Sequence, residues 1–252
     1  MKFKDKVVVV TGGASGIGRG MCIRFAGEGA SVVVNYSKSK AKAINVVEEI
    51  NFNGGDAIDI QADVSRDGEA RQLIDSAVAH YERLDVLINN AAWTRYVPHQ
   101  NLEDLSEEIL DTTWSVAVKG SIYCTRAAVP HLRASKGGSV INITSNAGFT
   151  ATGSTIIYGA SKAALTFITK ALARALAPDI RVNAIAPGFV DTGFVNWTPE
   201  ALEKLKKQSR LERAIIPENI ADAAVFLASD AVATTGQTIL VDGGVAALGP
   251  NL

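Results

Sequence analysis

The chain has 252 residues, 47% hydrophobic and 20% charged, and a formal net charge of −1, which gives no global basic field for nucleic acid or an anionic membrane. Two cysteines, Cys22 and Cys124, and three histidines, His80, His99 and His131, stand too far apart in pattern for a disulfide framework or a metal site, so no metal is expected at the chemistry. No stretch nears the ~20 apolar residues that cross a bilayer, and the polar start Met1–Lys6 is unlike a signal peptide, so the expected location is cytoplasmic.

The first element is Val7-Val8-Val9-Val10, a β-branched run suited to a strand buried on both faces of a parallel sheet. A glycine-rich turn follows, then a helical pattern from Ile17 to Ala26. Val32–Val34 predicts a second strand, Ala43–Ile50 a second helix, Ala57–Gln61 a third strand and Glu69–Ala79 a third helix. Val86–Ile88 reads as strand four. A long helix is expected from near Ser106 towards Arg133, bent or ended by Pro130. Val140–Ile143 is strand five, Tyr158–Leu176 an alanine-rich helix, and Val182–Ile185 strand six. Thr198-Pro199-Glu200 has the cap, proline and acid of a helix start, Pro217-Glu218 opens another helix, and Gln237–Val241 is a last strand.

Strand and helix alternate throughout, which predicts a single Rossmann-like, doubly wound α/β domain: a parallel sheet of about seven strands with helices on both faces. No composition shift marks a second domain. The least regular stretch, residues 189–216, carries a helix of its own and reads as a substrate lid. Lys204, Lys206 and Lys207, the nearest thing to a charge run, read as a solvated helix face.

The turn Thr11-Gly12-Gly13-Ala14-Ser15-Gly16-Ile17-Gly18 lies between the first strand and the first helix. Gly16 and Gly18 remove side chains where backbone must approach a pyrophosphate, and the helix N-terminus offers N–H groups and a positive dipole end. No Gly-Lys-Ser/Thr closes the turn, so it is not a P-loop. Tyr158 and Lys162 are i and i+4 on one helix and share a face. An ammonium near a phenol is expected to lower its pKa from ~10, and such a phenol can exchange a proton with a carbonyl or alcohol oxygen. Ser145, at the end of strand five, can hydrogen-bond the same oxygen.

Taken with Asn89-Asn90-Ala91 after strand four, Pro187-Gly188 after strand six and Thr235-Gly236-Gln237 followed by Val241-Asp242-Gly243-Gly244, these motifs make the chain resemble the compact short-chain dehydrogenase/reductases, from about Lys6 to Gly244. Among their branches it is similar to 3-oxoacyl-(acyl-carrier-protein) reductases and glucose 1-dehydrogenases. The resemblance implies a nicotinamide-dependent oxidoreductase for a carbonyl or secondary alcohol. Tyr158 is its acid/base, Ser145 polarises the carbonyl, and Lys162 tunes Tyr158 and binds the nicotinamide ribose. It also implies that Thr11, Gly12, Ser15, Gly16, Ile17 and Gly18 hold the cofactor phosphates and that Asp63 and Val64 border the adenine. Asn90 would lie near the adenosine ribose, Ala91 would also contact the cofactor, and Pro187, Gly188, Val190 and Thr192 would meet the nicotinamide.

Two positions depart from the family pattern. Ala92 replaces the glycine of Asn-Asn-Ala-Gly, which is expected to cost only a minor local shift unless the backbone there needs a positive φ. Ala117 stands where a catalytic asparagine supports a water that relays protons from the lysine. The expectation is an active enzyme with a rearranged relay, served by water, Ser115 or another neighbour; the alternative is a catalytically weakened, nucleotide-binding regulatory protein.

Cofactor choice falls at the end of strand two, where an acid binds the ribose 2′-hydroxyl of NAD and repels a 2′-phosphate. The strand ends Asn35-Tyr36-Ser37-Lys38, with no acid, and Tyr36 takes the aspartate's place. Ser37 and Lys38 offer a hydroxyl and a cation, so NADP is favoured over NAD, although Ser15 stands where related NADP enzymes carry arginine. A methyltransferase would want an acid at this strand end and would leave Tyr158 and Lys162 unexplained.

For the substrate, Trp93, Arg95, Tyr96, Ala147, Phe149, Ile156, Phe189, Phe194 and Trp197 are expected to line the pocket. That set suits a bulky or ring-bearing ketone or alcohol, with Arg95 either meeting an acidic group or standing at the rim. By resemblance, the helices carrying Ser115 and Tyr158 pair between subunits, which implies a homotetramer or, failing that, a dimer.

Overall fold

The computed structural model describes residues 1–249. Seven strands form one parallel sheet: β1 (Val7–Val10), β2 (Ser31–Tyr36), β3 (Asp56–Gln61), β4 (Val86–Asn89), β5 (Gly138–Ile143), β6 (Ile180–Pro187) and β7 (Thr238–Val241). Their order is β3-β2-β1-β4-β5-β6-β7. The four valines of β1 show why the sequence chooses this layout. Val8 and Val10 enter one core with Met21, Phe25, Val46 and Ile220, while Val7 and Val9 enter the other with Leu73, Ile74, Cys124 and Leu132. A strand apolar on both faces needs a helical layer on each side, and the fold supplies both.

One layer holds α1 (Gly16–Gly27), α2 (Lys40–Phe52) and α9 (Pro217–Ala228). The other holds α3 (Asp67–Tyr81), α5 (Gly120–Ala134) and α7 (Ile156–Leu176). The sheet order reverses at β1, with β2 on one side and β4 on the other, so a crevice opens beyond the carboxyl ends of β1 and β4. The glycine turn and Asn90-Ala91 both leave from that edge.

The long helix departs from expectation. It begins as α4 (Glu107–Trp114), capped by the Ser106 hydroxyl, passes through a π-helical stretch at Ser115–Lys119, and continues as α5 to Ala134. Pro130 does not end it, and the irregularity falls eleven to fifteen residues earlier. Pro130 is exposed, so the carbonyl it leaves unpaired can be solvated. The described residues also include the short α-helices α6 (Ala147–Thr150), α8 (Pro199–Lys206) and α10 (Val245–Leu248). Among the described residues no helix is long and apolar enough to cross a membrane.

Candidate active site

The glycine turn is held from three sides. Asn35 accepts from the Gly12 N–H at 3.2 Å and donates to the carbonyls of Ile60 and Ala62. Asn90 donates to the carbonyls of Thr11 and Gly12 at 2.9 and 3.1 Å. The Thr11 hydroxyl accepts from the N–H groups of Asn90 and Ala91. The amides of Asn35 and Asn90 are thus engaged in shaping the turn, a role their motif spacing did not reveal. Gly12 and Gly16 have φ of 63° and 53°, the region that favours glycine. Gly18 is needed for a different reason, since a Cβ there would lie 2.2 Å from the Gly12 carbonyl oxygen.

The N-terminus of α1 fits a dinucleotide phosphate. Its N-cap, Ser15, makes no side-chain cap, and no acid stands in its first turn, so neither competes for the N–H groups and dipole. Thr192, from the chain beyond β6, lies over the turn, because a Cβ on Gly16 would sit 3.1 Å from the Thr192 Cβ. Val190 forms a parallel bridge with Ile215, and Gly188 donates to the Val241 carbonyl at 3.0 Å. Residues 187–192 and the turn therefore face each other across one cleft. Ala92 has no positive φ, so alanine is tolerated there.

At the far side of β2, Ser37 and Lys38 are exposed, but Tyr36 turns into the core. Burial, then the neighbouring Asp59, push the Tyr36 phenol upwards. Val64 is buried against Gly120, and Asp63 accepts from the Ser65 hydroxyl at 2.7 Å.

The three chemical side chains converge at the carboxyl edge of β5. Ser145 is buried and anchored by the Ala147 N–H at 3.2 Å. The next N–H, of Asn146, donates to the Pro187 carbonyl at 2.9 Å, tying this loop to the end of β6. Tyr158 stands in the first turn of α7, which Thr155 caps by accepting from the Tyr158 N–H at 3.0 Å. The helix thus begins two residues before the expected Tyr158. Gly153, with φ of 114°, brings the chain against the phenol ring; a Cβ there would be 3.4 Å from Tyr158 Cδ1.

Electrostatics here differ from the simple expectation. Lys162 is buried and donates to the Ile143 carbonyl at 2.8 Å, with its Nζ 5.6 Å from the centre of the Tyr158 ring. Burial lowers its pKa to about 8. Burial raises the Tyr158 phenol above its ordinary value, while a hydrogen bond with Ser145 pulls the other way. Burial is the larger effect, so the phenol is held protonated, with Ser145 hydrogen-bonded to it. An ammonium with donors beyond the one given to Ile143 fits ribose hydroxyls.

Ala117 lies buried in the π-helical stretch, and its carbonyl accepts the Ser121 hydroxyl at 2.7 Å. The Ser115 carbonyl takes the Gly120 N–H. One turn earlier, the fully buried Thr113 hydroxyl has no partner among the described residues. Beneath the site, Asn89, Thr125, Asn142 and Thr169 form a buried polar chain with links of 2.9–3.0 Å between β4, β5, α5 and α7. Sequence reading missed that chain, although Asn142 and Thr169 sit at otherwise apolar positions.

Of the expected pocket residues, Tyr96, Phe189 and Trp197 share one cluster, and Phe194 approaches the Tyr158 ring at 6.5 Å. Arg95 is exposed and lies over Trp93 at 5.8 Å, a rim position. Ala147 is buried beside Ser145, whereas Phe149 and Ile156 are largely exposed.

A sequence profile described as enoyl-(acyl carrier protein) reductase matches residues 12–246. The chain is 40% identical to the short-chain dehydrogenase/reductase SDRA of Arabidopsis thaliana, over 97% of its own length and 96% of that protein's. It is 37% identical to a 3-oxoacyl-[acyl-carrier-protein] reductase of Staphylococcus epidermidis, over 96% of its own length and 99% of the relative's. A short-chain dehydrogenase from Burkholderia cenocepacia, solved in complex with NADP, superposes with a TM-score of 0.91 at 31% identity, covering 98% of this chain and 100% of that one. The chain belongs to the short-chain dehydrogenase/reductase family of NAD(P)-dependent oxidoreductases acting on ketones and alcohols.

Proposed function

We propose that the protein interconverts a ring-bearing ketone and its secondary alcohol with NADP as the favoured cofactor and Tyr158 as the acid/base. The observation that carries this reading is the convergence of Ser145, Tyr158 and Lys162 beside a helix N-terminus that no side chain caps. The nicotinamide, when bound, supplies or accepts the hydride. In the reductive direction Ser145 donates a hydrogen bond to the carbonyl oxygen, and the protonated Tyr158 gives it a proton as charge builds there. Lys162, fixed by the Ile143 carbonyl, places a cation beneath the phenol that stabilises the phenolate left behind. Gly12, Ser15, Gly16, Ile17 and Gly18 would hold the phosphates.

NADP is supported by the exposed Ser37 and Lys38 at a strand end with no acid, and by the NADP complex of the Burkholderia cenocepacia relative. The aromatic cluster supports a ring-bearing substrate. The chain is read as one domain in which residues 189–216 act as a lid, working in the cytoplasm. Trp114, Ile122 and Phe167, apolar and exposed on α4, α5 and α7, suit a homotetramer built through those helices.

The test is a titration with NADPH and NADH at physiological salt, followed by a carbonyl panel read at the NADPH absorbance band. Tighter binding of NADPH and its consumption with a ketone are expected. Equal affinity for NADH contradicts the cofactor assignment, and binding without turnover of any carbonyl supports the regulatory alternative instead.

A further inference from the structure

We propose that Trp197 is the specificity-determining residue: with Tyr96 and Phe189 it forms a slot for an uncharged ring, and its place at the head of α8 couples that ring to the position of residues 189–206. This inference rests on the proposal that a carbonyl is reduced beside Tyr158.

Two segments far apart in sequence meet at this indole. Tyr96 comes from the loop after β4, and its ring lies 5.1 Å from Trp197 at 57°. Phe189 follows β6 directly and meets Trp197 edge-on, at 6.5 Å and 75°. Three residues before Trp197, Phe194 reaches the ring of Tyr158 at 6.5 Å and 52°. One short stretch therefore touches the proton donor at Phe194 and the aromatic slot at Trp197. A substrate with its carbonyl at Tyr158 extends its body towards Tyr96 and Trp197.

The backbone that carries the indole is held on both sides. The main-chain N–H of Trp197 donates to the Val195 carbonyl at 3.0 Å. The next residue, Thr198, caps α8 by accepting from the Ala201 N–H at 3.3 Å, with Pro199 in the first turn. The far end of α8 returns to the start of the segment, where Lys206 and Asp191 pair at 3.3 Å. Wherever α8 goes, Trp197 goes with it. Tilted and edge-on ring contacts leave aromatic faces that favour another ring over an open chain of equal size. Arg95, next to Tyr96 in the chain, is exposed and lies over Trp93, so the contacts of Trp197 in the cluster are with uncharged rings. The ligand class that follows is an aryl or alicyclic ketone with its carbonyl on or next to an uncharged ring.

Acetophenone and 2-octanone, methyl ketones of equal carbon count, make the test. The readout is the ratio of their kcat/KM values with NADPH, and NADPH affinity serves as the check that each variant is folded. The wild-type ratio is expected to favour acetophenone. In Trp197→Ala it should fall by about tenfold, mostly through the KM for acetophenone, the size of loss expected for a ring partner plus its contact area. Thr198→Ala, which leaves the indole but removes its helix cap, should move the ratio part of the way, and Thr198→Ser should restore it. Wild-type turnover with no preference for acetophenone, or an equal loss on both ketones in Trp197→Ala, overturns this inference and leaves the proposed function standing. Turnover of neither ketone by wild type overturns this inference, and failure across the full carbonyl panel overturns the proposed function as well.

Discussion

Replacing Tyr158 by phenylalanine is expected to lower kcat by roughly 10²–10⁴-fold, the usual worth of a positioned general acid, or about 3–5 kcal/mol of barrier. The reason is local. Tyr158 is the one phenol whose hydroxyl is hydrogen-bonded with Ser145, and burial holds it protonated. Phenylalanine keeps the ring that packs near Gly153 and Phe194, so the pocket keeps its shape. NADPH affinity should change little, because the turn that would receive the phosphates stands on β1 and α1, across the cleft. Steady-state kinetics on one good ketone, beside an NADPH titration of both proteins, checks this. A residual rate within a few-fold of wild type would remove Tyr158 from the proton step.

The second large effect is expected at Gly18→Ala. Alanine should be better than glycine in a helix by about 1 kcal/mol. Here its Cβ would lie 2.2 Å from the Gly12 oxygen and 2.7 Å from Asn90 Nδ2, the side chain that clamps the turn. Overpacking of that kind costs about 1–3 kcal/mol, so the steric loss outweighs the helix gain. Relief requires the turn to shift away from α1, where phosphate must meet backbone N–H groups. The NADPH dissociation constant should therefore rise at least about tenfold, with a lower Tm. Gly27→Ala, at the other end of the same helix and with nothing within 4 Å of the added Cβ, is the control and should leave both unchanged or raise Tm slightly. Equal behaviour of the two variants would show that the turn does not need its close packing.

Much of this was legible in the sequence because its signals are local. Four consecutive valines demand burial on both faces, and a glycine turn between strand and helix demands a backbone-lined cleft. Tyr158 and Lys162 share a face by helical period alone. The π-helical stretch at Ser115–Lys119 was not legible, since over five residues its period barely differs from that of an α-helix. Pro130 misled for the opposite reason: its effect depends on solvation of one carbonyl, which only tertiary placement decides. The charge state of the site was also hidden. Spacing put an ammonium near a phenol, but the Ile143 carbonyl claims the ammonium and burial governs both groups. Asn35, near the end of β2, and Asn90, just after β4, also hold the turn through their amides, a contact that their place beside the cleft does not announce. The cap at Thr155 had a readable signal, a threonine just before an apolar helical run.

The most direct test of the account follows the hydride itself. Wild-type protein, given acetophenone and in turn each of the two forms of NADPH deuterated at C4, is expected to yield alcohol with one deuterium on the carbinol carbon from one form only, read by mass spectrometry. Unlabelled alcohol from both forms, or no alcohol from acetophenone or any other ketone while NADPH is demonstrably bound, would contradict the assignment of this site to hydride transfer with Tyr158 as proton donor.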